Sequence, residues 1–422
     1  MRISFLIHNA YGIGGTIRTT CTLAGELAER HDVEIVSVFR HLDEPQFVYD
    51  PRVRLRHLVD LRKDSQDSDL DDPRRATPAT VFPASDRRHD HYSALTDERI
   101  ARHLAQLDAD VVVGTRPGLN VHIARQAPRT MVRVAQEHLT LDTHSTKLVL
   151  LLRRLYPRLD AVVTTTAADA AAYRRRIPGV RVTPVPNSVP ASDVDPSPCT
   201  APVVVAAGRL APAKCYDDLI RAFAKVAAER PDWTLRLYGA GAERKKLAGL
   251  VTELHAQDAV RLMGPASPLE PELAKASILA VSSSMESFGM TIVEGMRAGL
   301  PVVSTDCPLG PREIISDGVD GLLVPPRDID AMAAALLRLI NDDELRVTMG
   351  RAASVKGEQY DPDRIARLHE ALFQRLLEAR ARRGGRGRAA VLSAGGQVLG
   401  AAYALGDVAL AAGRKARRTL GK

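Results

Sequence analysis

The chain has 422 residues, of which 45% are hydrophobic and 26% charged, proportions typical of a soluble globular protein with two or three domains. Its four cysteines are widely spaced, which excludes a disulfide framework and a paired-cysteine metal site and favours a reducing compartment. The formal charge is +7, but Arg382 to Lys422 contributes +8 and leaves −1 for the rest, so a nucleic-acid-binding body is unsupported.

The first ten residues begin a strand directly and are too short and polar for a secretory signal, so we expect a cytoplasmic location. Apolar strands alternate with helical patterns through residues 1–186. Runs such as residues 110–114 are apolar in the manner of strands covered on both faces, which predicts a doubly wound α/β domain. The predicted strands are Arg2–Ile7, Val33–Phe39, Val53–Val59, Asp110–Gly114, Thr130–Ala135 and Ala161–Thr165.

The first strand opens into a glycine-containing loop that ends in Gly14 and Gly15 and leads to a predicted helix at residues 16–29. Glycine at such a junction lets a phosphate or a sugar approach the backbone closely. The spacing of the glycines does not match the G-x-G-x-x-G dinucleotide fingerprint, so a tight turn explains the loop equally well.

Residues 63–93 are rich in Asp, Pro and Ser, which predicts a mobile insertion. His89, Asp90 and His91 lie within it, but three ligand types crowded into a flexible loop are more often solvated polar groups. The D-x-D tripeptides at residues 108–110 and 193–195 fall at a strand entrance and in a linker. The sequence therefore predicts no metal site.

His138 follows the strand Thr130–Ala135, at the sheet edge where ligands of open α/β folds gather. A histidine there can donate or accept a proton near neutral pH. The alternative is a hydrogen-bonded loop histidine, and the neighbouring Glu137 and His144 leave the assignment open.

A proline-rich linker at residues 187–202 separates this half from a second α/β pattern at residues 203–357. Two such domains predict a ligand cleft between them. The predicted strands are Val203–Ala207, Thr234–Tyr238, Val260–Met263, Ile278–Val281, Val302–Ser304 and Leu322–Val324.

Arg209 and Lys214 share the loop between the strand Val203–Ala207 and a predicted helix at Tyr216–Glu229. A planar guanidinium and a point charge at a helix N-terminus suit a diphosphate. Simple solvation is the alternative for either side chain alone.

Glu286 and Glu294 stand eight positions apart, where a serine-rich turn leads into a helix predicted to begin near Phe288 to Met290. Eight helical positions would separate the carboxylates by ~12 Å along the axis, too far for an acid/base pair on one atom. The spacing suits two contacts on one elongated ligand, with the helix N-terminus between them for a phosphate. The alternative is an acidic first turn followed by a solvated helix face.

These motifs resemble those of the retaining glycosyltransferases of family four, which have the GT-B fold. The resemblance covers residues 1–380 and is strongest from Val203 to Val324. It implies an α/β protein with two doubly wound Rossmann-like domains facing a cleft. It also implies that a last helix, at residues 358–380, crosses back to the first domain.

The resemblance assigns a role to each candidate residue. Glu286 would face the donor sugar and Glu294 would hold the nucleotide ribose. Arg209 and Lys214 would contact the donor pyrophosphate and stabilise the leaving group, and His138 would line the reaction centre. The remaining implied donor-site residues are Gly14, Gly15, Phe288, Gly289 and Met290. One departure is Cys215, where members of the family usually carry glycine.

The implied activity is transfer of a hexose-type sugar, with retention, from a UDP-linked or other nucleotide-diphosphate donor to a hydroxyl acceptor in cell-envelope glycan or glycolipid synthesis. Neither a metal nor another cofactor is expected. Two alternatives stay open: a GT-B epimerase or phosphorylase, and a catalytically inactive membrane-associated scaffold. The acceptor is not determined by the motifs.

The segment at residues 381–422 places an Ala- and Gly-rich apolar run, Ala389 to Ala412, between basic clusters. This pattern predicts a helix lying on an anionic membrane surface through residues 382–422, at the inner face of the membrane. A cationic extension without fixed structure explains the composition equally well.

Overall fold

The computed structural model describes residues 1–382. Residues 1–370 form one compact unit that contains two parallel β-sheets, one of seven strands and one of six. The prediction of a two-domain α/β fold is therefore confirmed. The predicted membrane-surface helix lies outside the described residues.

The first sheet has the strand order β3-β2-β1-β4-β5-β6-β7, with every pair parallel. The chain adds strands on one side of β1 as far as β3 and then on the other side from β4 onward. The carboxyl ends of β1 and β4 therefore form a topological switch point. The strands are β1 Arg2–Asn9, β2 Asp32–Arg40, β3 Arg54–Asp60, β4 Val111–Gly114, β5 Val132–Glu137, β6 Ala161–Thr164 and β7 Val182–Pro184. The helices are α1 Gly15–Ala28, α2 Ala94–Gln106, α3 Pro117–Gln126, α4 Thr146–Leu155 and α5 Ala167–Arg176.

The second sheet has the order β10-β9-β8-β11-β12-β13, so its switch point lies between β8 and β11. The strands are β8 Val203–Ala207, β9 Thr234–Tyr238, β10 Val260–Gly264, β11 Ile278–Val281, β12 Val302–Thr305 and β13 Gly321–Val324. The helices are α6 Tyr216–Glu229, α7 Arg244–Glu253, α8 Glu270–Leu273, α9 Met290–Arg297, α10 Gly310–Ile314, α11 Ile329–Asn341 and α12 Asp343–Gly357.

The central strands of both sheets are buried along their whole length. All residues of β4, β8 and β11 are buried, as expected for strands with helices on both faces. Since the side chains of these strands are used for packing, the polar groups available to a ligand lie in the loops at the strand ends.

Residues 63–93 differ from the mobile insertion that their composition predicts. Phe82 is fully buried and stacks on Tyr92 with ring centroids 3.5 Å apart. The carboxylate of Asp97, in α2, accepts backbone N–H bonds from Thr80 and Val81, each 2.7 Å long. A buried carboxylate and an aromatic stack therefore fix the second half of this polar segment to the first domain, a long-range anchoring that composition does not reveal.

Residues 362–382 are helical, and the first part of this helix contacts the first domain as predicted. Arg30, which follows α1, lies 3.1 Å from both Asp363 and Glu370. Just before the helix, the carbonyl of Tyr360 accepts from Val189 N at 3.0 Å. No helix within residues 1–382 is long and apolar enough to cross a membrane.

Candidate functional site

The loops that follow β8 and β11 meet at the switch point of the second sheet and bring Lys214 to Glu286. Lys214 Nζ lies 2.6 Å from Glu286 Oε1, and the hydroxyl of Ser283 donates to the same oxygen at 2.7 Å. The Ser282 hydroxyl donates to the backbone carbonyl of Lys214 at 2.8 Å. Two side chains separated by 72 positions thus form one charged pair at the sheet edge.

Arg209 begins this loop directly after Gly208. Gly208 has a φ of 151°, and a Cβ there would lie 2.7 Å from the Tyr216 hydroxyl and 3.7 Å from Lys214 Nζ. Only glycine fits this position, which lies beside the Lys214 amine and directly precedes Arg209. The Arg209 side chain is exposed and forms no ion pair with a carboxylate of residues 1–382. Its guanidinium is therefore accessible to an anionic ligand.

Cys215, the departure from the family pattern, has left-handed backbone angles of φ 48° and ψ 41°. This conformation favours glycine, which explains why glycine is usual at the position. The Cys215 thiol is buried and approaches the carbonyl of Pro212 at 3.4 Å, so the loop retains the left-handed turn with a side chain present.

Helix α9 begins at Met290 and is capped by Gly289, which has a left-handed φ of 115°. Because Glu286 precedes the helix, only part of the interval to Glu294 is helical and the ~12 Å axial separation does not apply. Phe288 is buried with its ring centroid 5.7 Å from that of Tyr360, which fixes the turn between the two glutamates.

Glu294 is almost fully buried and faces the first domain. Its Oε1 atom lies 2.5 Å from Arg18 Nη1, and Arg18 Nη2 lies 3.0 Å from Glu270 Oε1. Burial raises the pKa of Glu294, and the positive charge of Arg18 opposes that rise. Arg18 was not among the predicted site residues, although a cation one turn after the paired glycines is a signal that could have identified it.

Gly14 and Gly15 cap and begin α1, one turn before Arg18. A Cβ on Gly15 would meet no atom within 4 Å, so packing among the described residues does not require glycine there. The space beside this loop is therefore open to a ligand.

His138 directly follows β5, and the register pairs its neighbour Glu137 with Thr164 of β6. The next residue of that strand end, Thr165, donates its hydroxyl to the carbonyl of Ser287 at 2.9 Å. His138 is thus placed at the edge where the first domain meets the turn that carries Glu286. Burial lowers the pKa of His138 to about 4, and neither ring nitrogen has a hydrogen-bond partner among the described residues.

Glu137 and His144, the neighbours that left the assignment open, lie in different surroundings. Glu137 is buried, and Asn120 Nδ2 and the Tyr156 hydroxyl both donate to its Oε1. Burial raises the pKa of Glu137 to about 8, so this carboxyl is mostly neutral at pH 7 inside a polar network of the core. Burial lowers the pKa of His144 to about 4, with Asp86, Arg87 and Arg116 as its charged neighbours.

A cavity of about 690 Å³ opens at the far edge of the second sheet, and none of the candidate residues lines it. It is lined by Asp306, Arg312, Ile315, Asp317, Leu323, Val324, Pro325 and Pro326. Across residues 1–382 no three His, Cys, Asp or Glu side chains are grouped to hold a metal ion, and this includes His89, Asp90 and His91.

Two parallel sheets with matching strand order, and polar loops at the switch point of each, define the GT-B architecture. A family model described as glycosyl transferase 4-like domain matches residues 14–188, and one described as glycosyl transferases group 1 matches residues 192–356. The chain therefore contains two glycosyltransferase-type domains in succession, and its fold is GT-B.

Three similar proteins place the chain among its relatives. It is 34% identical to an exopolysaccharide phosphotransferase of Streptomyces coelicolor over 90% of this chain, which spans 41% of the length of that protein. A sucrose-phosphate synthase from Thermosynechococcus elongatus has a TM-score of 0.73 at 20% identity, covering 90% of this chain and 99% of that chain. A mutant of S. aureus TarM, in complex with fondaparinux, alpha-GlcNAc-glycerol and UDP, has a TM-score of 0.71 at 16% identity, covering 88% and 100%.

Proposed function

We propose that the chain transfers a hexose-type sugar, with retention of configuration, from a UDP-linked donor to a hydroxyl acceptor in the synthesis of an envelope polysaccharide or glycolipid. The observation that carries the proposal is the Lys214 to Glu286 pair, with an accessible Arg209 in the same loop. UDP in the TarM complex and the exopolysaccharide function named for the Streptomyces relative support the donor and the pathway class.

In the proposed site, different groups of the protein bind the diphosphate, the sugar and the ribose of the donor. Arg209 and Lys214 meet the diphosphate charge, and the N-terminus of α9 at Gly289 and Met290 adds backbone N–H groups. Glu286 orients the sugar, and Glu294 accepts from the ribose hydroxyls. Lys214 is paired with Glu286, and in the proposed complex the phosphate oxygens of the donor also bind this amine.

The proposed chemistry is a displacement on the front face of the sugar. The bond between the anomeric carbon and the diphosphate oxygen breaks, and the acceptor oxygen bonds to the same face of that carbon. The acceptor proton passes to the departing phosphate oxygen, so no protein nucleophile is needed. His138, neutral at pH 7, lines the face where the acceptor arrives. The cations replace a metal in stabilising the leaving group, and we expect transfer to persist in EDTA.

The experiment begins with a thermal-shift panel of nucleotide-diphosphate sugars, followed by mass spectrometry of products formed with cell extract. We expect UDP release that depends on added acceptor, which separates transfer from epimerisation and from phosphorolysis. Lys214→Ala and Glu286→Gln should each reduce transfer by ~100-fold or more, because each removes a charge from the reacting site.

Lys225→Ala is the matched control, since Lys225 pairs with Asp330 on the exposed surface of the same domain. It should leave transfer unchanged. Full transfer activity in both Lys214→Ala and Glu286→Gln would contradict the proposed function.

We further propose that residues 382–422 hold the enzyme at an anionic membrane surface, because nine basic side chains there flank an apolar run. Co-sedimentation with anionic liposomes should be lost on truncation after Arg380 and weakened by salt. Equal binding by full-length and truncated protein would contradict this proposal.

A further inference from the structure

A second group of polar side chains lies at the switch point of the first sheet, beside the Gly14–Gly15 loop. It consists of His8 in β1, His41 after β2, Arg116 after β4, and Arg88 and His91 from the anchored segment. We refer to these five residues as the switch-point cluster. Crevices at such points are where open α/β sheets bind ligands. The proposed donor site does not use this cluster.

The members of the cluster converge on one place. The rings of His8 and His91 have centroids 5.6 Å apart, and Arg88 Nη1 lies 3.4 Å from His91 Nε2. His8 Nδ1 is 2.9 Å from the Tyr92 hydroxyl. The ends of β1, β2 and β4 are distant in sequence from one another and from the anchored segment. Together they bring the side-chain nitrogen atoms of the cluster close to one another.

The positive charge of the cluster comes from its arginines. Burial lowers the pKa of His8 to about 2, and the nearby Arg116 and Arg88 lower it further, so this imidazole is neutral at pH 7. Burial also lowers the pKa of His91, with Arg88 and Arg116 acting in the same direction. Neutral imidazoles beside guanidinium groups offer hydrogen bonds to an anion without adding charge of their own.

The carboxylates nearby do not neutralise both arginines. Asp86 lies 2.6 Å from Arg116 and also accepts from the backbone N–H groups of Gly118 and Arg88. Asp90 is exposed and acts on His91. Arg88 is exposed and forms no ion pair with a carboxylate of residues 1–382.

One atom of the cluster independently indicates a missing acceptor. Arg116 Nε is buried, and no hydrogen-bond partner for it occurs among the described residues. A guanidinium N–H can only donate, and buried donors in folded proteins are nearly always paired. Arg116 therefore keeps one N–H donor without an acceptor among the described residues, while Arg88, the other guanidinium that acts on His8, is exposed.

We propose that the switch-point cluster binds a phosphate group on the acceptor, so that the hydroxyl compound that receives the sugar is a phosphate ester. This rests on the proposed function. Two guanidinium groups and neutral imidazoles match the several acceptor oxygens of a phosphate better than the two of a carboxylate. The glycine loop starts directly after β1, so a phosphate held at the cluster keeps the rest of the acceptor beside the donor site.

The test measures binding of methyl phosphate by ³¹P NMR titration to the full chain in saturating UDP, which keeps the probe out of the donor site. Arg88→Gln should weaken the affinity by about tenfold, the effect of one charge-assisted hydrogen bond. Arg88→Lys should retain most of the affinity. Arg125→Gln is the matched control, because Arg125 is exposed at the opposite end of α3 from Arg116.

Equal affinities for wild type and Arg88→Gln would overturn the proposal, as would an equal loss in Arg125→Gln. Tighter binding of acetate than of methyl phosphate would assign the cluster to a carboxylate instead and would also overturn it. UDP affinity, measured separately in Lys214→Ala, reports on the proposed function. Loss of UDP binding in Lys214→Ala without any effect of Arg88→Gln would therefore reject only the phosphate-bearing acceptor.

Discussion

Arg18 couples two acidic residues of the second domain to the first helix of the chain. One nitrogen lies 2.5 Å from Glu294 and another 3.0 Å from Glu270. Since Glu294 is 7% exposed, Arg18 supplies the cation that is paired directly with its buried carboxylate. A residue of the first domain thereby sets the charge and orientation of the group that we propose for the ribose.

We predict that Arg18→Ala weakens UDP binding by about tenfold at pH 6 and by less at pH 8. Burial raises the pKa of Glu294 and Arg18 opposes this, so the variant raises that pKa further. The carboxylate needed for the ribose is then lost as the pH falls through the higher pKa. Calorimetric titration of UDP across this pH range measures the effect.

Arg30→Ala is the control for this prediction. Arg30 also links an end of α1 to other parts of the chain, but it contacts Asp363 and Glu370, away from Glu294. Its UDP affinity should follow the wild-type pH profile. The same pH dependence in both variants would assign the Arg18 effect to general stability.

At the scale of one element, the buried carboxylate of Asp97 anchors part of the segment at residues 63–93. Asp97 Oδ2 accepts from Thr80 and Val81, and His122 Nε2 lies 3.2 Å from Asp97 Oδ1. Burial alone would raise the pKa of Asp97, but His122 and the backbone N–H groups outweigh it and hold the pKa below its ordinary value. The segment that carries Arg88 and His91 therefore depends on Asp97 for its position.

We predict that Asp97→Ala lowers the free energy of unfolding by about 2 kcal/mol, the cost of leaving several buried donors unpaired. Because the folded pKa is depressed, the contribution of Asp97 is present above its unfolded pKa of about 3.9 and is lost as the pH falls through the folded value. Urea denaturation at pH 7 and below pH 4 measures both effects, and limited proteolysis should cut residues 63–93 faster in the variant.

Asp71→Ala provides the comparison, since Asp71 is exposed in the same segment. It should change neither the free energy of unfolding nor the cleavage rate. An Asp97→Ala protein as stable as wild type at pH 7 would contradict the anchoring role.

At the scale of the whole molecule, Arg18, Thr165 and Glu313 make polar contacts that join the two domains near the candidate site. Besides the Arg18 pairs, Thr165 donates to the carbonyl of Ser287, and Glu313 accepts from the backbone N–H groups of Ala167 and Ala168 at 2.7 Å each. Glu313 of α10 thus caps the N-terminus of α5 in the other domain. These contacts hold the loops that carry His138 and Glu286 near each other.

We predict that Glu313→Ala increases the radius of gyration of the UDP-free protein in small-angle scattering, because it removes one of these contacts. It should also lower the free energy of unfolding by about 1 kcal/mol, the value of a helix cap. Asp328→Ala is the matched control, since Asp328 caps α11 within the second domain by accepting from Ala331 at 2.8 Å. A comparable increase in both variants would show that cap loss, rather than domain opening, changes the radius.

The order and type of most elements follow from local patterns. Continuous apolar runs such as Val203–Ala207 predict buried parallel strands because helices cover both faces. The short strand β7, Val182–Pro184, was missed because three residues that include a proline carry too little periodicity. The positions of Arg209 and Lys214 in a strand-to-helix loop were also predictable, because the predicted strand before the loop and the predicted helix after it define its bounds.

The partners of the site residues were not predictable in this way. Arg18 and Glu294 are 276 positions apart, and no local pattern relates them. The same holds for Glu313 and the start of α5, 146 positions apart. Composition likewise suggested mobility for residues 63–93, because composition does not reveal that Asp97 and Phe82 are both buried in the fold.

The sequence by itself determined the two α/β domains, the loops that end their central strands, and the cations and carboxylates that those loops carry. It could do so because strand and helix periodicity and turn chemistry act over a few neighbouring residues. Only the tertiary structure decided which of these groups meet: Lys214 with Glu286, Arg18 with Glu294, and His91 with His8. Such contacts depend on how whole elements pack against one another, and no local property of the chain encodes them.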